Sequence, residues 1–140
     1  SYDDISAFKI YLVDVGLLTR LSQLSPNTFG EGNRLFTEFK GALTEQFVLQ
    51  ELIGSGMDAV YYWAVDDGSS AEVDFLIQID NDIIPIEVKA KENLQSKSLR
   101  TYSQKYSPKK AVRVSMSDYR DEGWLVNTPL YMIENIFPTY

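Results

Sequence analysis

Apolar and polar positions alternate over much of the second half of the chain, whereas one long segment in the first half lacks this alternation. That segment, 35–53, reads "LFTEFKGALTEQFVLQELI" and is followed by Gly54-Ser55-Gly56, so it predicts a helix with a glycine stop. Stretches rich in β-branched and aromatic residues predict strands at 59–65, two within 71–90 and one at 111–116.

The weaker patterns complete the predicted element order. Residues 9–15 indicate a strand or a short buried segment ended by Gly16, and a helical turn follows it. A helix is predicted over 96–106, where Pro108 stops it, and a short strand over 124–126, while 129–137 is compatible with either type. The order of helix, three strands, helix and strand predicts an α/β fold with a mixed central β-sheet flanked by helices.

The hairpin predicted within 71–90 carries three charged residues inside its strands, namely Asp74, Glu87 and Lys89. Alternation places Val73 and Phe75 on the apolar face of the first strand and Asp74 on its other face. Glu87 and Lys89 likewise lie opposite the apolar face of the second strand. The apolar faces of both strands must coincide, so only alternate registers are allowed.

Two registers satisfy this condition, and both bring the charges together. A two-residue turn at Asp80-Asn81 sets Asp74 across from Glu87, and a four-residue loop sets it across from Lys89. Two carboxylates ~4 Å apart repel by roughly 4 kcal/mol at an effective dielectric near 20, so a cation or a proton is expected between them. The alternative interpretation is an exposed hairpin face with an ordinary mixture of charges.

Glu45 is a third candidate carboxylate. It lies in the predicted helix on a stripe of small and apolar residues that includes Gly41, Ala42 and Leu49. Buried carboxylates are costly unless they are paired or bind a metal, so a partner for Glu45 is expected. Alternatively, the helix is rotated so that Glu45 reaches water.

Composition narrows the possible chemistry. The chain has 140 residues, 44% of them hydrophobic, which predicts one domain spanning 1–140. No apolar run approaches the ~20 residues of a membrane span and no secretory signal is visible, so a cytoplasmic protein without membrane contact is expected.

The absence of Cys and His excludes disulfides, thiolate nucleophiles, Ser-His-Asp triads and His-type zinc sites. Any chemistry must therefore use carboxylates, Lys, Tyr or hydroxyl groups, and the metals that suit such a set are Mg²⁺ and Mn²⁺.

The charge is unevenly distributed along the chain. The formal net charge of −7 argues against a nucleic-acid coat protein, yet residues 89–113 hold eight of the thirteen basic residues and one acid, Glu92. This basic segment is either a solvated helix that balances an acidic fold or a patch that faces phosphates.

The order of Glu45, then Asp74, then "IEVK" with Glu87 and Lys89, resembles the PD-(D/E)XK nuclease-like superfamily. More closely, the chain is similar to the C-terminal domain of unknown function on bacterial and archaeal AAA+-type ATPases. The blocks that carry this similarity are "FKIYLVDVGLL", "GALTEQFVLQEL", "YYWAVDDGSSAEVDFLI", "IPIEVKA" and "KSLRTYSQKYSPKKAVRVSM". Two positions depart from the pattern: Val73 stands where the superfamily name has Pro, and Ala64 follows Trp63 where a basic residue is expected.

The resemblance implies a restriction-endonuclease-like core and an AAA+ ATPase domain that precedes it in the same polypeptide; no phosphate loop is present in this chain. It also implies that one or two Mg²⁺ or Mn²⁺ ions are held by Asp74, Glu87, Glu45 and the Val88 carbonyl. Lys89 would then orient and help to deprotonate the attacking water or stabilise the pentavalent phosphate.

The same resemblance assigns DNA contacts to the basic segment, where the phosphodiester backbone would meet Lys91, Lys97, Arg100 and Lys105. Tyr61 and Trp63 are either part of the sheet core or available to stack on bases.

Two functions of different classes remain. One is a metal-dependent nuclease domain that hydrolyses DNA phosphodiester bonds and is appended to an ATPase. The other is a catalytically idle nuclease-like domain that serves partner recognition or regulation of the ATPase. A carboxylate glycosidase is disfavoured because Asp74 and Glu87 lie too close together in one hairpin to straddle a sugar.

Overall fold

The computed structural model describes residues 8–23, 34–65, 71–90 and 95–136. Three α-helices are found in these ranges, α1 (Val15–Leu21), α2 (Arg34–Gly54) and α3 (Lys97–Tyr106), with a 3₁₀ segment at Leu130–Ile136. The strands are β1 (Tyr61–Ala64), β2 (Glu72–Ile79), β3 (Asp82–Lys89), β4 (Ala111–Ser115), β5 (Arg120–Asp121) and β6 (Leu125–Pro129).

The six strands form one mixed sheet in the order β1-β2-β3-β4-β6-β5. The β1–β2, β2–β3 and β5–β6 pairs are antiparallel, whereas β3–β4 and β4–β6 are parallel. Helix α3 connects the parallel strands β3 and β4, as a parallel connection requires. The predicted α/β class, with a mixed central sheet flanked by helices, is therefore confirmed.

The core has one part on each face of the sheet. Helix α2 and the 3₁₀ segment cover the first face, where the buried side chains are Val48, Leu49, Leu52, Phe75, Ile77, Ile86, Val112, Val114 and Ile133. Helix α3 covers the second face, where the buried set is Val73, Leu99, Tyr102, Ala111 and Leu125. Among the residues described, no helix combines the length and the hydrophobicity needed to cross a bilayer.

The predicted alternation along β2 is interrupted by a bulge. Tyr61 pairs with Leu76 and Trp63 pairs with Val73, so two steps along β1 match three along β2. The extra residue lies at Asp74–Phe75. It reverses the alternation, so Val73 packs against α3 while Phe75 packs against α2. The prediction that these two side chains share a face was wrong for this reason.

The β2–β3 hairpin adopts the first of the two predicted registers. Ile79 pairs with Asp82 and Phe75 with Ile86, which leaves Asp80 and Asn81 as a two-residue turn. Asp80 has a φ of 53°, the left-handed conformation that such tight turns demand and that Asp tolerates.

Residues 8–14 form neither of the predicted elements but an irregular segment that runs along α2. The amide side chain of Gln46 accepts a hydrogen bond from the Leu12 N–H at 2.9 Å and donates one to the Leu12 carbonyl at 2.8 Å. Gln50 accepts from the Val15 N–H at 3.1 Å. Because helix side chains satisfy this backbone, it needs no strand partner.

The remaining elements match their predictions within a few residues, except that the pattern gave no indication of β5. That strand has only two residues, both exposed, so it is too short to show an alternating pattern, and it pairs with the adjacent β6. In the stretch left open at 129–137, Pro129 ends β6 and Leu130–Ile136 form the 3₁₀ segment, while residue 137 lies outside the described residues.

Substitution of Ser107 by glycine is expected to raise the free energy of unfolding by about 0.5 to 1 kcal/mol. Ser107 caps the C-terminus of α3 with φ 48° and ψ 51°, a left-handed conformation that glycine adopts without a Cβ penalty. Urea unfolding followed by circular dichroism measures the change. Gln104→Gly, inside the same helix, is the control and is expected to lower stability by about 1 kcal/mol. A loss of stability in Ser107→Gly would contradict the assignment of the cap.

Candidate functional site

An ammonium group lies at the centre of the most highly charged cluster on the α2 face of the sheet. Lys9 Nζ is 3.1 Å from Glu45 Oε1 and 3.9 Å from Asp74 Oδ1, and it also pairs with the Glu72 carboxylate. The Tyr62 ring lies below it, with its centroid 5.3 Å from Nζ. We call Lys9, Glu45, Glu72 and Asp74 the acidic cluster.

Three different parts of the chain supply this cluster. Lys9 comes from the irregular segment along α2, Glu45 from α2 itself, and Glu72 and Asp74 from β2. The bulge in β2 turns Asp74 toward α2, where regular alternation would have turned it away. The cluster borders a hollow of about 350 Å³ lined by residues of both the irregular segment and α2, including Tyr11 and Gln46.

The Asp74 carboxyl group is mostly buried, with 21% of its side chain exposed. Burial raises its pKa from 3.8 to about 6, and the charges of Glu45 and Glu87 add to this effect. A hydrogen bond from the Val88 N–H to Asp74 Oδ2, at 2.7 Å, and the charge of Lys9 act in the opposite direction. The carboxyl group therefore titrates close to neutral pH.

Lys9 and its neighbour Tyr11 both have raised pKa values. Burial, together with the hydrogen bond that the Tyr11 hydroxyl donates to Glu45 Oε1, raises the pKa of Tyr11. Burial acts to lower the pKa of Lys9, but the hydrogen bond to Glu72 and the charge of Glu45 outweigh burial, so the pKa is raised. Tyr11 is therefore neutral and Lys9 is charged.

Glu87 and Lys89 form a separate ion pair. Lys89 Nζ lies 2.9 Å from Glu87 Oε1, and 6% of the Glu87 side chain is exposed. Since Ile86 and Val88 pack into the core beneath α2, alternation along β3 directs Glu87 and Lys89 toward the α3 face. Glu87 Oε2 is buried and has no hydrogen-bond partner within the described ranges.

The structure thus brings together two of the four predicted ligand residues. Glu45 and Asp74 share the Lys9 ammonium, and Val88 reaches Asp74 through its N–H. The regular pairing of the hairpin extends from Phe75–Ile86 to the turn, and Glu87 lies just beyond it with Lys89 as its described ion-pair partner.

The cluster matches the needs of a divalent ion only in its donor chemistry. The oxygen-only donors have the right chemistry for Mg²⁺. However, in the part of the chain that the structure describes, no three carboxylates are arranged to hold a metal ion. The Lys9 ammonium already lies among Glu45, Glu72 and Asp74, so the residues as placed do not fit a bound metal.

The predicted DNA-contact residues are dispersed. Lys97 and Arg100 line a second hollow at the start of α3. Lys105 lies at the other end of that helix, with its ammonium 5.2 Å from the Tyr106 ring centroid. Lys91 lies outside the described residues.

The sequence allowed the aromatic residues of β1 to be either sheet core or available for stacking on bases, and the two residues differ in this respect. Trp63 packs edge-on against Tyr102 and Tyr106 of α3, with ring centroids 5.3 and 6.1 Å away, and so belongs to the core of that face. Tyr61 is 57% exposed on the edge strand.

Sequence reasoning missed Lys9, Tyr11 and Glu72 as members of the site. The available signal was Lys9 itself, a charge within the apolar run "FKIYLV", because a charge in a buried segment requires a partner. Its partners are 36 and more residues away, so the pattern of the segment alone does not name them.

Comparison with known proteins finds a family model that matches the chain. The family model described as a domain of unknown function (DUF4143) matches residues 40–131. The chain belongs to this family. The matched part of the DUF4143 domain includes Glu45, Asp74, Glu87 and Lys89, whereas Lys9 precedes it. No curated protein and no solved structure matches the chain. Membership in the family assigns no activity to the DUF4143 domain.

Proposed function

We propose that this DUF4143 domain is a nuclease-like module of an AAA+-type ATPase that serves partner recognition or regulation and does not hydrolyse phosphodiester bonds. The observation that carries the proposal is the position of Lys9, whose ammonium lies among Glu45, Glu72 and Asp74. Partly buried carboxylates need a compensating cation, and here the chain supplies that cation itself.

A tethered ammonium competes strongly with a divalent ion for the same oxygens. Lys9 is held next to the carboxylates by the hydrogen bonds that fix Leu12 against Gln46, so its local concentration is high. A metal ion would have to displace Lys9 and move its charge into water or onto another partner. In addition, Lys89 and Glu87, which belong to the implied catalytic set, form an ion pair with each other and not with Asp74.

The surface near Lys9 supports a role in partner recognition. Five apolar side chains between residues 8 and 21 are exposed by half or more of their area: Phe8, Ile10, Val13, Leu17 and Leu21. Large exposed apolar patches are typical of protein interaction sites, and the concentration of these side chains in one short segment favours such a site here. We assign this surface to contact with the AAA+ ATPase domain of the same polypeptide.

The second candidate function, a metal-dependent DNA nuclease, is favoured by one observation at Glu87. Its Oε2 atom is buried without a hydrogen-bond partner among the described residues, which leaves a carboxylate oxygen available to a cation. In that case Asp74, Glu87, Glu45 and the Val88 carbonyl would be the oxygen ligands. The candidate requires Lys9 to leave the cluster and Glu87 to turn toward Asp74.

Titration with Mg²⁺ and Mn²⁺ by calorimetry distinguishes the two candidates. For the wild type we expect no binding with a Kd below about 1 mM, because occupancy would require displacing Lys9. We also expect no cutting of plasmid or branched DNA in the presence of either ion, with or without the ATPase portion.

The same measurements on Asp74→Ala and Lys89→Ala give the opposing outcome. If the wild type binds metal, loses that binding with Asp74→Ala and loses DNA cutting with Lys89→Ala, the domain is a nuclease and the regulatory proposal is wrong. Asp82→Ala, which removes an exposed carboxylate at the far end of β3, is the matched control.

A further inference from the structure

The start of α3 opens into a hollow of about 440 Å³ on the face of the sheet opposite the acidic cluster. It is lined by Gln95, Ser96, Lys97, Arg100, Arg113, Glu122, Trp124 and Leu125. This volume lies within the roughly 300 to 1,000 Å³ of typical small-molecule sites. We call it the α3 hollow.

Positive charge dominates the lining of the α3 hollow. Lys97 and Arg100 lie on the first turn of α3, and Arg113 projects from the neighbouring strand β4. The acid of the lining, Glu122, accepts a hydrogen bond from Arg113 Nη2 at 3.2 Å, while Arg113 Nε donates to Asn127 at 2.9 Å. Arg113 is thus paired with Glu122 and Asn127, and Lys97 and Arg100 of α3 are the cations placed to meet an anion.

The helix terminus contributes further hydrogen-bond donors. Ser96 is the N-cap of α3, but its side chain makes no capping hydrogen bond and the first turn contains no acidic residue. Ser96 Oγ is buried without a partner in the part of the chain that the structure describes. Free N–H groups at a helix N-terminus bind phosphate well because they point at the ligand and carry partial positive charge.

An aromatic ring lies beside these donors. Trp124 is 37% exposed, and the Arg100 guanidinium carbon lies 5.6 Å from its ring centroid. An exposed indole next to a cationic phosphate site is the arrangement with which proteins hold a nucleotide, since a base stacks on the ring while the phosphate meets the cations.

We propose that the α3 hollow binds one nucleotide unit, with its phosphate at the N-terminus of α3 between Lys97 and Arg100 and its base against Trp124. The unit is either a free nucleoside phosphate or part of a single-stranded nucleic acid. The proposal names a ligand for the recognition function above, and it does not depend on whether the acidic cluster binds metal, because the cluster lies on the other face.

Calorimetric titration of the full chain with dTMP, inorganic phosphate and a (dT)10 oligonucleotide tests the proposal. Arg100→Gln is expected to weaken binding of all three probes about tenfold, because a charge-assisted hydrogen bond is lost. Trp124→Leu is expected to weaken dTMP and (dT)10 about tenfold and to leave inorganic phosphate within about twofold. Thermal melts by circular dichroism check that each variant is folded.

Lys105→Gln is the matched control, since it removes one positive charge from the other end of the same helix. It is expected to change each Kd by less than about twofold at 0.15 M salt, where the Debye length is ~8 Å. Equal losses in Lys105→Gln and Arg100→Gln would overturn the proposal in favour of a diffuse basic surface. Unchanged dTMP binding in Trp124→Leu, or no binding of any probe, would overturn it as well.

The probes also distinguish the two sources of the ligand. Tighter binding of (dT)10 than of dTMP, with the same dependence on Arg100 and Trp124, identifies a strand, and equal binding identifies a free nucleotide. Asp74→Ala is expected to leave all of these affinities unchanged. Failure of nucleotide binding therefore refutes the α3 hollow alone, whereas metal-dependent cutting refutes the proposed regulatory function alone.

Discussion

Replacing Lys9 by methionine is expected to lower the free energy of unfolding by about 2 to 4 kcal/mol at pH 7. The substitution keeps most of the aliphatic volume but leaves Glu45, Glu72 and Asp74 without their shared cation. Removal of the shared cation from these partly buried ion pairs is costly because the remaining carboxylates are uncompensated. Denaturant unfolding monitored by tryptophan fluorescence measures the loss.

Lys109→Met is the control for this prediction. Lys109 also forms an ion pair, 2.7 Å from Asp82, but 79% of its side chain is exposed. Exposed pairs contribute little, so a change below about 1 kcal/mol is expected. Similar losses in both variants would show that Lys9 is an ordinary surface charge and would remove the basis of the proposed regulatory function.

The Lys9→Met variant is also expected to gain affinity for Mg²⁺. With the ammonium gone, three partly buried carboxylates lose their shared cation, and one of them, Glu45, lines the hollow of about 350 Å³. Addition of Mg²⁺ should therefore restore part of the lost stability, since a ligand that binds the folded state stabilises it by mass action. Mg²⁺ should leave the stability of the wild type unchanged.

Asp74→Asn is expected to stabilise the protein by about 2 kcal/mol at pH 8 and to have little effect at pH 4. The folded-state pKa of Asp74 is about 6 and its model value is 3.8, so the folded state holds this proton more tightly. Its contribution to stability is therefore greatest below pH 4 and is lost as the pH rises through about 6. Asparagine does not titrate, and its amide oxygen can still accept the Val88 N–H hydrogen bond.

Free energies of unfolding at several pH values between 4 and 8 measure this difference. Asp82→Asn makes the same chemical change at an exposed ion pair in β3 and is expected to change stability by less than about 0.5 kcal/mol at every pH. Destabilisation of Asp74→Asn at pH 8 would mean that the ionised carboxylate contributes more through Lys9 than its burial costs.

The elements with local sequence signals could be predicted. Helix α2 follows from a long apolar segment with a glycine stop, and the β2–β3 hairpin follows from two apolar strands around a polar turn. The correct register, with the turn at Asp80-Asn81, was one of two that the pattern allowed. Turn geometry decided between them, and the pattern of the strands does not encode it.

The bulge at Asp74–Phe75 could not be predicted from β2 alone. It depends on how β1 pairs with β2, and it places Val73 and Phe75 on opposite faces of the sheet. Because a shift of one residue changes the face of every later side chain, this single irregularity decides that Asp74 meets Glu45.

The sequence predicted two acidic residues of the candidate site, Glu45 and Asp74, but it did not predict the cation, Lys9. Glu45 and Asp74 were expected to meet, and they do so through Lys9, whose side chain reaches them from a segment predicted to be a strand or a buried element. Such a contact joins residues far apart in sequence, which periodicity does not reveal. Whether Glu87 and Lys89 take part in chemistry stays a prediction.

Attachment of Lys9 to an irregular segment has a mechanical consequence. The described hydrogen bonds that hold residues 8–15 to α2 involve the side chains of Glu45, Gln46 and Gln50, and no strand of the sheet runs through this segment. Peeling the segment away would withdraw the ammonium and expose the carboxylates while every rung of the β-ladder stays intact. Tension on this stretch of chain would thus be converted directly into a change of charge at the surface of the domain.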